Sequence, residues 1–339
     1  MAFGGTKSAI GLEIDTGMAR AVEAAGSAAK PKLVKLALDQ MPEGSMEEGM
    51  VIEPQKVGDA LSNLWRSGGL KNHRVLLGIS NQGVLVRHAT IYKVPPDKLD
   101  KVIKYTAQEQ LPIPLESVVL DYQVIGETTN EENKTMLEIL LVAARRDMLN
   151  GFLKALQLAK LEPADIDVSI LSLMQILPAA ALDRTVAVVN VANGLSNILI
   201  SERGRPRMAR LVSVKLKDLA DRFGCSLEDV LEVSDRGAES GQGAYAEWLN
   251  SLITEIRSSL NYYQNRENSS PVEAIILNGR GGRIKGIDKR LEKALDLSVR
   301  LVNPFAAFNN AGKALENNGI QAVEYAISAG LARRGLEGS

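Results

Sequence analysis

The feature that most constrains this chain is a unit it uses twice. Ala9–Ile14 is an apolar run, Asp15-Thr16-Gly17 carries a turn signal, and Met18–Ala24 is a second apolar run, so the segment reads as a β-hairpin. The same order of strand, glycine-containing turn and strand returns at Thr185–Ile200, around Asn193-Gly194. A chain that opens both halves with one supersecondary unit suggests internal duplication. Its 339 residues exceed what a single core usually needs, so two domains are expected.

Between and after the hairpins, helical and strand signals alternate. Val57, Leu61, Leu64 and Trp65 fall on one face of a helix over Pro54–Ser67, and Arg74–Ser80 reads as a buried strand. A distinct block follows: a strand at Val84–Val94, then a helix at Asp97–Gln110 with Leu99, Val102, Ile103 and Ala107 on one face. Pro112 and Pro114 stop that helix, because proline lacks the backbone donor and restricts the residue before it. Strands at Val118–Ile125 and Met136–Ala144 flank a polar loop, Glu127–Lys134, and a helix at Asp147–Lys160 closes the unit. The block reads as a small α/β subdomain set into a larger one. Later, Trp248, Leu252, Ile256, Leu260 and Tyr263 form one stripe of a helix over Tyr245–Gln264, a core face rather than a stacking platform for bases. A strand at Ala274–Leu277, a glycine-rich turn at Asn278–Gly286, a helix at Ile287–Leu295 and an amphipathic helix near Gln321–Arg334 complete the pattern.

Composition removes several function classes. The net charge is −1 and no lysine- or arginine-rich stripe stands out, which argues against nucleic-acid binding. Cys225 is the only cysteine, so no internal disulfide forms, and a reducing compartment is expected. Leu137–Ala144 and Val186–Val191 are among the longest apolar runs, sized for strands rather than a membrane span. His73 and His88, the two histidines, share no metal-ligand spacing with each other or with Cys225, so no metal site is expected. Asp15-Thr16-Gly17 also matches the aspartic-protease signature, but that chemistry needs a second such triplet and none exists.

Two hairpins that each open a domain, followed by a glycine turn after a late strand, resemble the actin-like ATPases. In that fold the hairpin turns hold phosphates from opposite sides and the late glycine turn lies against the adenosine. The inserted block resembles the one found in FtsA and in the PilM family of type IV pilus assembly. Closer similarity to the PilM family is carried by Ile10-Gly11-Leu12-Glu13-Ile14, by Gln108–Tyr122, by Val302-Asn303-Pro304-Phe305 and by Glu324–Gly335. The resemblance implies a first domain over 1–183 with an insertion at about 84–167, a second domain over 184–320, and a C-terminal helix over 321–339 returning to the first. It implies a cytoplasmic adaptor that captures the N-terminal tail of the membrane protein PilN, with contacts placed near Asn81, Arg87 and Pro112. Other pilus assembly proteins and the motor ATPases are implied partners, and the expected state is a monomer or weak homo-oligomer at the inner membrane through a protein partner.

The resemblance also implies an ATP–Mg²⁺ cleft, and the residues there depart from the family pattern. In the first turn Glu13 keeps the acid, Asp15 stands where a glycine is usual, Thr16 and Gly17 follow, and Arg20 replaces a lysine. Asp15 is expected to bring a carboxylate to where phosphates would sit, in opposition to Glu13 unless a cation intervenes. In the second turn Asn190 and Ala192 replace aspartate and glycine, followed by Asn193, Gly194 and Ser196. Asparagine brings no charge and cannot act as a general base. Val230, Leu231 and Ser234 replace the usual adenosine contact. Gly279, Gly281 and Gly282 are expected to keep an open loop, with Arg283 lying over a base. The bland readings stand beside these: Asn193-Gly194 is also a favoured two-residue hairpin turn, and Gly279–Gly282 could join a strand to a helix with no ligand. Nucleotide occupancy and a vestigial cleft both stay open, efficient hydrolysis is not expected, and no catalytic residue is assigned. A kinase or ATPase of the same fold and an FtsA-like filament protein are the competing readings. The tail after Arg334 shows no membrane-binding helix, which favours the adaptor.

Overall fold

A computed structural model describes residues 8–232, 243–266, 269–311 and 321–337. The duplication is plain in its two five-stranded sheets. In the first, Ser8–Asp15 pairs antiparallel with Met18–Ser27, which pairs antiparallel with Lys30–Gln40. On its other side Ser8–Asp15 pairs parallel with Arg74–Ile79, and that strand pairs parallel with Glu162–Val168. The second sheet repeats this order with Thr185–Asn190, Ser196–Glu202, Arg205–Val212, Ala274–Asn278 and Ser298–Leu301. The parallel pairings require crossovers, and helices supply them: Pro54–Gly68 and Arg146–Leu158 in the first half, Ala244–Gln264 and Ile287–Leu295 in the second.

The inserted block is a three-stranded antiparallel sheet in the order Val84–Tyr92, Thr135–Arg145, Val118–Thr129, covered by the helix Pro96–Gln110. Ile103 and Ala107 of that helix pack on Ile139, Leu141 and Ala143 in a separate small core. This sheet ends at Arg145, short of the expected boundary near 167. Met148, Leu149, Phe152, Ala155 and Leu156 of the next helix belong to the core of the first domain, with Val57, Leu61 and Leu64. Glu162–Val168 is likewise an edge strand of the first sheet. The apolar period of the 146–158 helix names a buried face but not the sheet it covers, which is why the sequence assigned it to the insertion.

The C-terminal helix, Ala326–Gly335, crosses back to the first strand. Close approach makes this possible. A Cβ on Gly11 would lie 2.1 Å from the Ser328 carbonyl oxygen and 2.5 Å from the Ala332 nitrogen. A Cβ on Gly330 would lie 2.2 Å from the Ser172 carbonyl. Ala326, Ile327, Leu331 and Ala332 thereby join a core that spans both sheets, from Ala9 and Val22 to Val186, Val188 and Ile276.

Candidate functional site

The two hairpin turns meet at the interface of the domains. In the first, Asp15 pairs with Met18, leaving Thr16-Gly17 as a two-residue turn with Gly17 at φ +76°. The second is not a two-residue turn. Its strands end at Asn190 and resume at Ser196, so residues 191–195 form a longer loop. Gly194 is required there by space rather than by a turn angle, since a Cβ would lie 2.7 Å from Thr16 Oγ1 and 3.0 Å from Asp15 Oδ1. The loop is held from behind. Leu216 N–H and Lys217 N–H, opening the helix Leu216–Phe223, donate to the carbonyls of Ala192 and Asn193 at 3.1 and 3.0 Å. Ser196 Oγ accepts from Ala192 N–H at 3.3 Å and donates to the Val214 carbonyl.

Those bonds leave the amides of Asn193 and Gly194 facing the first turn, and Asp15 takes both. Its carboxylate accepts from Asn193 N–H at 2.9 Å and Gly194 N–H at 3.1 Å, and also from Thr16 N–H at 2.7 Å. Asn193 Nδ2 donates in turn to the Thr16 carbonyl at 3.0 Å. The carboxylate that the sequence set in opposition to Glu13 is thus satisfied by backbone donors of the other domain.

Behind the turns runs a chain of ion pairs, buried at Glu13, Arg20, Arg280 and Glu324 and reaching the surface at Glu228. Arg20, 2% exposed, lies 3.2 Å from Glu324 and 3.9 Å from Glu13. Glu324 also pairs with Arg283, and Glu228 with Arg280 and, at 3.7 Å, with Arg283. Arg20 favours Glu324 by distance, and Glu13 Oε2 is buried without a hydrogen-bond partner. Burial therefore pushes the Glu13 carboxyl up to about 7; Arg20 opposes the shift, and Asp15 and Glu324 add to it. The Arg20 guanidinium moves up despite its burial, because Glu13, Glu324 and Asp15 favour its charge.

The glycine turn is closed, against expectation. Residues Arg280–Arg283 form a short 3₁₀ turn, with Gly279 at φ +79° and Gly281 N–H donating to the Val191 carbonyl at 2.9 Å. A Cβ on Gly281 would lie 2.2 Å from Val191 Cγ1, and one on Gly279 2.6 Å from Asn190 Oδ1. The glycines serve contact with the second hairpin loop, and Arg283 is held by Glu324 and Glu228 instead of lying free over a base. Val230 and Leu231 are buried in the core of the second domain, and Ser234 lies outside the described residues.

Whether an ATP–Mg²⁺ group fits is decided by these contacts. The amides that would meet a phosphate are occupied by Asp15, and Val191 fills the space beside the late glycines, so a triphosphate does not fit between the turns as they stand. At their mouth a cavity of about 390 Å³ remains, lined among others by Thr16, Gly17, Lys217, Ser226, Glu228 and Arg280. Among the described residues no group of three or more His, Cys, Asp or Glu side chains could hold a metal ion.

A second cavity of about 280 Å³ lies where the inserted sheet meets both domains. The structure brings Asn81 and Arg87 to it, with Val84, Val86, Ile170, Ala209 and Leu211, but not Pro112. Pro112 is exposed in the turn after the 96–110 helix. Asn81 is fully buried, and its amide donates to the Gly49 carbonyl at 3.0 Å while its oxygen accepts from Gly83 N–H at 2.9 Å. It shapes the wall of the cavity, whereas Arg87 is exposed. Val84–Tyr92 is an edge strand of the insertion and Arg205–Val212 an edge strand of the second sheet, so the cavity sits between two sheet edges.

A sequence profile described as type IV pilus assembly protein PilM matches residues 11–336. The chain belongs to the PilM family. Among solved structures, the PilM-PilN type IV pilus biogenesis complex aligns with a TM-score of 0.84 at 27% identity, over 97% of this chain and 99% of that one. A diol dehydratase-reactivating factor aligns with a TM-score of 0.55 at 7% identity, over 98% of this chain and 100% of the other. The ethanolamine utilization protein EutJ from Carboxydothermus hydrogenoformans aligns at 0.52 and 11%, over 98% and 91%. These last two share the fold alone. The architecture is the two-domain actin-like ATPase fold with the PilM-type insertion.

Within this PilM-family cleft, sequence reading missed Glu324, Arg280 and Glu228. Arg280 was hidden among the glycines of its turn, and its partner Glu228 is an exposed residue 52 positions away. Glu324 opens the C-terminal element that returns across the molecule, a contact with Arg20 that spans 304 positions and leaves no local trace.

Proposed function

We propose that this chain is an adaptor of type IV pilus assembly that binds the N-terminal cytoplasmic tail of a PilN-like membrane protein. Support comes from its family and from the solved PilM-PilN complex to which it aligns over nearly its full length. The observation that carries the reading to a place on the molecule is the cavity at Asn81 and Arg87. An extended tail laid there would find main-chain partners on the edge strand Val84–Tyr92 and apolar side chains at Val86, Ile170 and Leu211. Among the described residues no helix is long and apolar enough to cross a membrane. On this reading the chain reaches the inner membrane from the cytoplasm through its partner and passes that attachment to other assembly proteins and the motor.

Turnover of ATP has little support. Asn190 brings no charge, Glu13 is buried with its pKa near 7, and the turns are occupied by Asp15. The test is titration of a fluorescent PilN-like tail peptide into wild type, Arg87→Glu and Ala209→Trp. Both substitutions should weaken binding by at least about tenfold, which corresponds to about 1.4 kcal/mol. Unchanged binding in Ala209→Trp, which fills the cavity, would remove the groove from the proposal.

A further inference from the structure

The bond pattern of Asp15 has a consequence that does not depend on the tail-binding reading. A carboxylate and a phosphate present the same face to a pair of backbone N–H groups, namely anionic oxygens at hydrogen-bond distance. Here the pair is Asn193 N–H and Gly194 N–H, and the oxygens belong to Asp15, from the other domain and 178 and 179 positions away. The acceptor is held in place, because Thr16 N–H donates to Oδ1 and fixes the carboxylate against its own turn. A reciprocal bond from the Asn193 side chain to the Thr16 carbonyl closes the pair of turns from the other side. Both turns are themselves tied down: the first is closed by the Asp15–Met18 pair of its hairpin, and residues 191–195 are bonded to the start of the 216–223 helix.

We propose that Asp15 is a built-in anion that occupies the phosphate-binding amides and clasps the two domains shut without nucleotide. A chain of this fold that relies on a ligand phosphate to bridge its hairpins is closed only while the ligand is present. This chain carries the bridge covalently, so its closed form is independent of ligand concentration. An incoming phosphate would have to displace Asp15 from the two amides and then sit against its negative charge. The cavity at the mouth of the turns, walled by Thr16, Gly17 and Arg280, remains open to a ligand, but the amides behind it do not.

The test compares wild type with Asp15→Gly and Asp15→Asn by thermal melting and small-angle scattering, with and without millimolar pyrophosphate or ATP–Mg²⁺. Wild type should show no melting shift with either anion. Asp15→Gly should melt lower and scatter with a larger radius, and pyrophosphate should restore both toward wild type. Asp15→Asn, which keeps the shape but offers a single acceptor oxygen, should melt between the two. A melting shift of wild type with either anion would overturn the proposal, and this arm needs no variant to fold. So would an Asp15→Gly protein that melts like wild type, or one that melts low and regains nothing from pyrophosphate.

Discussion

Replacing Glu13 by Gln isolates the cost of a buried acid, because the amide has nearly the shape of the protonated carboxyl. Glu13 is 7% exposed, its Oε2 has no hydrogen-bond partner, and the nearest cation, Arg20, is closer to Glu324. Its pKa rises from 4.5 to about 7 in the folded protein. The folded state therefore holds a proton that the unfolded chain releases above about pH 4.5, and this group's contribution to stability declines as pH rises through 7. At about 1.4 kcal/mol for each pH unit, the difference amounts to about 3 kcal/mol in full, of which roughly 2–3 kcal/mol falls between pH 5 and pH 8. Glu13→Gln does not titrate and should lack this decline. Urea unfolding of both proteins at pH 5, 6, 7 and 8 measures it, since the other groups are common to the two and cancel in the comparison. The variant should match wild type within about 1 kcal/mol at pH 5 and exceed it progressively toward pH 8. Parallel curves would refute the reasoning, and would mean that Arg20 keeps Glu13 ionised throughout.

Three further outcomes follow from close contacts and ion pairs. Gly11→Ala places a Cβ 2.1 Å from the Ser328 carbonyl and should undock the 326–335 helix, read as early proteolysis of that segment and a loss of roughly 2–4 kcal/mol. Gly281→Ala forces Val191 aside by its 2.2 Å contact and should lower the melting temperature through roughly 1–3 kcal/mol, while Gly44→Ala, with open space but a positive φ, should cost less. Arg207 joins Glu138 of the insertion to Glu202 of the second domain and is half-buried, so Arg207→Met should raise hydrogen exchange along Val84–Tyr92. Unchanged exchange there would show that the insertion is held by apolar packing alone.

Much of this was legible in the chain because it depends on local period and turn chemistry. The turn of the first hairpin, the helix at Ile287–Leu295 and the stop before Pro112 stand within about one residue of their expected places, whereas the second strand runs three residues past Ala24 to Ser27. The strands Lys30–Gln40 and Arg205–Val212 went unread, although the first alternates: Pro31 and Leu33 are buried while Lys30, Lys32 and Val34 are exposed. Lysines on the solvent face of an edge strand look like a loop when composition is weighed before alternation. In the cleft, substitution of Asp15 for glycine was visible, but its meaning was not. A carboxylate near another carboxylate reads as repulsion until the amides of Asn193 and Gly194 are placed against it, and no spacing rule connects positions so far apart. The same holds for Glu324 against Arg20.

The return of the last helix to the first strand has a consequence for how the chain is made. Ser8–Asp15 leaves the ribosome long before residues 326–335, yet those residues cover the face of the strand that carries Gly11. The first sheet must wait, with that apolar face uncovered, while the second domain is synthesised and folds. A nascent chain halted after residue 311 would thus present a sheet awaiting its cover, and chaperones that hold exposed apolar faces should bind it until Ile327 and Leu331 arrive.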